Sequence, residues 1–235
     1  MASLIPRLDL LPDAQRTLWP SFQPLAGLGF ALYGGTAISL RLVHRQSVDF
    51  DFFSDQSFGP QALKERLPWL DVATVLQEAP NTLTILARVA SLDEPPETEV
   101  KVSFFGALTF GRLADPDVTA DGVAQIASPE DLLATKLKAL LQRVEAKDYR
   151  DVAALLGAGA ELDRGLAGAQ ALYGSAFQPS ECLKALVYFQ GGDLETPPVE
   201  ARQKLIRAVA ASGSLPEVAI VSHALTPEAA SDSGA

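Results

Sequence analysis

The chain is poor in the residues that build redox and soft-metal sites, with one cysteine, one methionine and two histidines among 235 residues. With Cys182 alone, no intramolecular disulfide can form, and a chain of this length can bury enough surface to need none. Cys182 stands in the helical pattern Cys182-Leu183-Ala185-Leu186-Phe189, which predicts a packed structural thiol rather than a nucleophile. Positive charge is also scarce, since 19 Lys+Arg face 29 Asp+Glu for a formal net charge of −10. Such a field repels nucleic acid and anionic membrane except where basic groups cluster. No run of about 18 apolar residues occurs, and Met1 to Pro12 lacks a cationic segment followed by an apolar stretch. A soluble, cytoplasmic protein with no membrane partner is expected. Repeats and blocks of like charge are missing too. A composition of 48% hydrophobic and 20% charged residues excludes a disordered or collagen-like chain.

Three stretches punctuate the sequence: Ser91–Thr98 with its Pro95-Pro96 pair, Gly191–Pro198, and a Pro/Ala/Ser-rich tail from Leu225 to Ala235. Ser91–Thr98 reads as a loop between strands, and the tail as frayed. The pattern changes character near residue 128. Before it, helical stretches at Leu11–Pro20, Thr36–Val43 and Gln61–Leu67 interleave with strands at Phe30–Tyr33, Val48–Phe53, Val72–Leu76, Leu83–Val89 and Glu99–Phe105. On the Val48 strand, alternation places Val48, Phe50 and Phe52 on one face. Beyond residue 128 the helical period dominates. The expected organisation is an α/β domain over 1–127, a helical domain over 128–224, and a flexible tail over 225–235.

Three constellations carry chemistry. Asp49 and Asp51 lie two apart on a strand, so their carboxylates leave one face about 6.5–7 Å apart along the backbone and can converge on a hard cation such as Mg2+. The same pair also fits a solvated strand face, although aspartate is a poor strand former. Gly34-Gly35-Thr36 joins a strand to a helix. There the glycines permit a tight turn, the first helical amides can meet phosphate oxygens, and Thr36 can donate a hydroxyl or cap the helix. A ligand-free turn has the same residues. Ser128-Pro129-Glu130-Asp131 reads as a capping-box variant opening a helix whose apolar stripe holds Leu132, Leu133, Leu137, Leu140 and Val144. Lys136 falls inside that stripe, about 40° from Leu132, whereas Lys138 faces the other way as a solvated lysine. Lys136 either snorkels or reaches an anion across a cleft. Asp148 and Asp151 suit the first turn of the next helix. Arg143, Lys147 and Arg150 add a local basic cluster able to flank a phosphorylated acceptor.

In combination, Tyr33-Gly34-Gly35-Thr36-Ala37 followed by His44-Arg45-Gln46-Ser47-Val48-Asp49-Phe50-Asp51-Phe52-Phe53 resembles the opening motif of the AbiEii/AbiGii toxin family of nucleotidyltransferases, within the DNA-polymerase-β-like superfamily. Lys136, Ala139 and Arg143, followed by Lys147-Asp148, resemble that family's Lys-x-x-Ala-x-x-x-Arg helix and Lys-Asp pair. The resemblance runs from Phe30 to Asp151. It implies an α+β nucleotidyltransferase fold, a mixed sheet with flanking helices and a helical C-terminal subdomain, using Mg2+ and an NTP. It further implies the toxin of a type IV toxin–antitoxin or abortive-infection system, with RNA or tRNA as acceptor and a cognate antitoxin as partner. Gly34, Gly35 and Thr36 would hold the triphosphate, Asp49 and Asp51 the metal, and Lys136 a phosphate. Asp148 would be the second domain's catalytic acid, with Arg45 and Ser47 orienting. One position departs: the superfamily draws a third carboxylate from a later strand, where this chain has Ser103, with Glu99 farther along the same face. A small-molecule (antibiotic) nucleotidyltransferase and a catalytically degenerate nucleotide-binding module are the alternative readings.

Overall fold

Phe50 and Phe52 are completely buried against Phe22, with ring centroids 4.7 and 4.9 Å apart, and Phe52 stacks on Phe104 at 5.7 Å. Because strand side chains alternate, burying these two rings forces Asp49 and Asp51 onto the opposite face. The computed structural model describes residues 3–89 and 98–227. Its first half runs through β1 (Ser3–Leu4), α1 (Asp13–Leu18), α2 (Pro24–Gly27), β2 (Ala31–Tyr33), α3 (Gly34–Leu42), β3 (Asp49–Phe53) and α4 (Pro60–Arg66). It continues through β4 (Thr74–Ala79), β5 (Thr82–Val89), β6 (Thr98–Phe105), β7 (Asp117–Thr119) and β8 (Gln125–Ile126). Helices follow: α5 (Pro129–Leu140), α6 (Ala146–Gly157), α7 (Leu162–Tyr173), α8 (Pro179–Leu186) and α9 (Val199–Ala211).

The strands form one mixed sheet in the order β1-β7-β8-β2-β3-β6-β5-β4. At its centre β3 pairs antiparallel with β2 and parallel with β6, which fixes Tyr33 opposite Asp51 and Ser103 opposite Asp51 on the other side. The α+β class and the expected strands are present. Three very short strands, β1, β7 and β8, add to them, each too brief for alternation to be visible in the sequence. The helix expected from Thr36 begins instead at Gly34, because Gly34 adopts φ +74° and turns the chain within a single residue.

Helix α5 begins as its sequence indicates, with the Ser128 hydroxyl oxygen accepting from the Asp131 amide at 3.0 Å. The Asp131 carboxylate does not complete a capping box. It accepts the Ser128 hydroxyl at 2.6 Å and the Leu113 amide at 2.8 Å, tying the loop after β6 to the helix. Val144 and Val48, both assigned to apolar faces, are 55% and 60% exposed, since α5 stops at Leu140 and β3 starts at Asp49. Lys138 is not merely solvated, because its ammonium donates to the Ala176 carbonyl and sits 5.7 Å from the Tyr173 ring centroid. Cys182 is buried, and burial pushes its thiol up to about 12, in keeping with a structural role.

Helix α3 packs on both α5 and α6, so a continuous apolar core runs from the sheet into the helices. The expected flexible tail is anchored at its start: Leu225 and Thr226 are buried. The Leu225 amide donates to Asp55 at 2.8 Å, and Arg112 donates to the carbonyls of Ala224 and Thr226. Residues 228–235 of that tail, and all of the Ser91–Thr98 loop but Thr98, lie outside the described residues. Truncating Phe52 to Ala should cost about 3–5 kcal/mol in urea unfolding, whereas Val48→Ala should change the unfolding free energy by less than about 0.5 kcal/mol.

Candidate active site

The turn between β2 and α3 is built for contact with charged groups. A Cβ on Gly34 would lie 2.6 Å from Asp51 Oδ2, and one on Gly35 would overlap the Arg45 guanidinium and lie 2.9 Å from Ser47 Oγ. Glycine is therefore required twice, once for its left-handed φ and twice for the space that Asp51, Arg45 and Ser47 occupy. Thr36 is buried, and its hydroxyl donates to the Asp49 carbonyl. That bond pins α3 to β3 and commits the proton that a phosphate would otherwise accept. Nor does Thr36 cap the helix, since Tyr33 is the N-cap residue. Ser39 Oγ lies 2.9 Å from the Gly35 carbonyl and 2.8 Å from that of Arg45, which folds the segment after α3 back over the corner. Val43, a β-branched residue at φ 54°, ends α3 and makes that reversal.

The C-terminal half meets this corner through ion pairs. Lys136, on α5, is 5% exposed, and its ammonium lies 2.8 Å from Asp148 Oδ1 and 2.7 Å from Asp151 Oδ2, both on α6. Arg45 grips Asp151 with Nε at 2.6 Å and Nη2 at 2.9 Å, and His44 Nε2 adds a contact at 2.6 Å. Arg143 binds Asp148 through Nε at 2.8 Å and Nη2 at 3.1 Å. Burial disfavours ionisation of Asp151, yet the hydrogen bonds from His44 and Arg45 and the charge of Lys136 outweigh it and hold the carboxyl below the usual aspartate range. Asp148 is likewise lowered against its burial by Arg143 and Lys136.

Asp49 and Asp51 are treated differently. Burial, then the charge of Asp49, pushes the Asp51 carboxyl up, opposed by Lys101, Lys136 and a hydrogen bond with Ser103. The Lys136 ammonium, held by Asp148 and Asp151, is thus one of the positive charges that act on Asp51. An oxygen-seeking dication fits this pair, since it would relieve both the burial penalty and the mutual repulsion. No third His, Cys, Asp or Glu joins them among the described residues. Ser103 faces Asp51 in register, while Glu99 is exposed and faces Arg88 on β5. Gly34 thus abuts Asp51, Gly35 abuts Arg45 and Ser47, Arg45 and Lys136 share Asp151, and Asp148 takes the other contact of Lys136.

Two residues were missed as members of the site, Asp151 and His44. The signal for Asp151 is its i,i+3 spacing from Asp148, which puts both carboxylates on one face of α6. The expected basic cluster is instead spent internally: Lys147 pairs with Glu145 at 2.8 Å, Arg150 donates to the Thr196 carbonyl at 2.9 Å, and Arg143 holds Asp148. A cavity of about 620 Å³, lined among others by Arg41, Leu42, Leu133 and Leu155, includes none of the residues around the acid pair.

Replacing Lys136 with Met removes one shared cation from two buried carboxylates that keep Arg45 and Arg143, and should cost about 1.5–3 kcal/mol at pH 7. Both carboxyls titrate below their unfolded value in the native protein, so the stability they supply is complete above about pH 4 and fades as pH falls through the native values. Urea midpoints of the two proteins should accordingly converge as pH is lowered below about 4.

Comparison with known proteins identifies the family and the fold. Residues 22–211 match the family described as nucleotidyl transferase AbiEii toxin, type IV TA system. An uncharacterized protein of Aquifex aeolicus (strain VF5) is 32% identical over 125 residues, 52% of this chain and 55% of its own length. The chain therefore matches about half the length of that relative. Among solved structures, JHP933 from Helicobacter pylori is similar with a TM-score of 0.60 and 19% identity, covering 88% of this chain and 92% of its own. An antigenic nucleotidyltransferase-like protein from Paracoccidioides brasiliensis gives a TM-score of 0.52 and 16% identity over 86% of this chain and 96% of its own. At such identities the structures speak for the fold alone, and the family match supplies the rest: the chain belongs to the AbiEii family of nucleotidyltransferase toxins.

Proposed function

We propose that this chain moves a nucleoside monophosphate from an NTP to an acceptor hydroxyl, with Asp49 and Asp51 holding Mg2+, as the toxin of a type IV toxin–antitoxin or abortive-infection system. The observation that carries the reading is the Gly34-Gly35 corner pressed against Asp51, with Lys136 brought in from the helical half. In this reading the lobes of residues 1–127 and 128–224 meet at α3. The free amides at the start of α3 receive phosphate oxygens, and Arg45 and Ser47, packed against Gly35, orient them. The acceptor oxygen bonds to the α-phosphorus as the bond to the bridging oxygen breaks, pyrophosphate leaves with that electron pair, and the hydroxyl proton passes to water. Bound Mg2+ supplies positive charge to the phosphoryl oxygens.

Lys136 contributes charge from a fixed position, because Asp148 and Asp151 hold its ammonium. Around it, three cationic side chains, Lys136, Arg45 and Arg143, meet those two carboxylates, which leaves one positive charge over for an anionic substrate. Asp148, with cations on both oxygens, acts through Lys136 and Arg143 as a positioning residue. RNA, including the tRNA acceptor end, is the acceptor this family reading favours, and a cognate antitoxin the partner. The internal pairing of Arg143, Lys147 and Arg150, together with a net charge of −10, favours a second reading, in which the acceptor is a small cationic molecule such as an aminoglycoside.

Labelled NTPs incubated with the full chain and either total RNA or an aminoglycoside separate the two, since label should pass to RNA and not to the drug. Asp51→Asn should abolish transfer, and retained transfer would overturn the assignment. Because native Asp51 titrates above its unfolded value, ionising it costs stability at neutral pH, and protonation restores that stability as pH falls through the raised value. Asp51→Asn should therefore raise the thermal midpoint at pH 7 in metal-free buffer, and Mg2+ should raise it for the wild type but not for the variant.

A further inference from the structure

Strand β6 sets two polar side chains, Lys101 and Ser103, beside the acid pair. Parallel register sets Lys101 beside Asp49 and Ser103 beside Asp51, so both point from the sheet on the side of the carboxylates. Ser103 is 2% exposed and hydrogen-bonds with Asp51, bringing a neutral hydroxyl where a carboxylate would supply another ligand. Glu99 lies four residues from Ser103, about 13 Å along the strand, and faces Arg88 rather than either aspartate. Lys101 is exposed and makes no ion pair among the described residues. Lys136, by contrast, is committed to Asp148 and Asp151.

Two dications need a shared set of carboxylates to sit about 3.5–4 Å apart. Here the two positions of β6 nearest the acids carry no negative charge, and one carries a positive charge that repels a second cation. We propose that the Lys101 ammonium takes the place of a second metal ion, so that the crevice binds a single divalent cation on Asp49 and Asp51 while Lys101 neutralises substrate phosphate. This rests on the nucleotidyl-transfer reading above and adds to it a specific number of ions and a named phosphate-binding residue. Lysine suits this role, because a compact ammonium on a flexible stem is a point charge that can follow a polyphosphate.

The test counts manganese by loss of the free Mn2+ EPR signal, on the full chain with equimolar α,β-methylene-ATP, -GTP, -CTP and -UTP in turn. One ion per chain is expected for the wild type in the arm whose analogue binds, and two for the double variant Lys101→Ala/Ser103→Asp. Lys101→Met should weaken analogue binding about ten- to hundredfold with an unchanged thermal midpoint, as suits an exposed side chain. Two ions in the wild type, a double variant that stays at one, or unaltered analogue affinity in Lys101→Met would each overturn the role given to Lys101 and leave nucleotidyl transfer standing. No ion in any arm would remove the metal reading along with it.

Discussion

The salt bridge from Lys136 to Asp148 and Asp151 is the constraint on which the rest of the molecule depends. A lysine ammonium and two carboxylates are buried together, and each would be costly if left alone. The arrangement works only when α5 and α6 hold a fixed spacing, because one amine must reach two acids set one helical turn apart. Asp151 extends the constraint by accepting Arg45 and His44 from the segment that follows α3. That segment leads directly into β3, so the pose of the helical half is transmitted to the strand bearing Asp49 and Asp51. The ion pairs are therefore a joint between the two halves, and apolar side chains of similar volume would fill the space without fixing its direction.

The glycine corner is the second half of this joint. Backbone freedom explains Gly34, but the crowding around Gly35 arises from Arg45 and Ser47, two residues whose positions depend on the reversal at Val43. Corner, reversal and ion pairs thus specify one another, and the unusual φ of a β-branched residue is tolerated because hydrogen bonds on both sides of it determine the path.

Much of this was legible in the sequence wherever side-chain period and chemistry coincided. Phe50 and Phe52 alternate with Asp49 and Asp51, so the buried face and the acidic face of β3 are determined together. Lys136 among leucines marks an amine that must find an anion, and the residues around Gly34 show the corner. What stayed hidden depends on long-range placement. Val144 belongs to the right period but lies past the end of the helix, and only the packing of α5 reveals that. Thr36 has a hydroxyl suited to capping or to phosphate, and the neighbouring strand's carbonyl captures it first. The anchoring of Leu225 needs Asp55 and Arg112, far away along the chain, while the tail's own composition suggests only a loop.

The two pairs of aspartates differ in how far the fold compensates their charge. Asp148 and Asp151 are the more buried pair, and burial alone would make them the harder to ionise. Cations placed within hydrogen-bonding distance reverse that order and keep both charged. Asp51 is less buried, yet the charge of Asp49 opposes its ionisation, and no lysine forms an ion pair with it among the described residues. Its charge is left unmatched by the fold. A sequence read for composition sees four similar residues, but the folded chain satisfies two of them and leaves the other two facing a crevice. An unmatched pair of that kind has a preference for an incoming cation built into its geometry, and a fully compensated pair has none. The charges that folding leaves unneutralised are thus those on the polar face of β3.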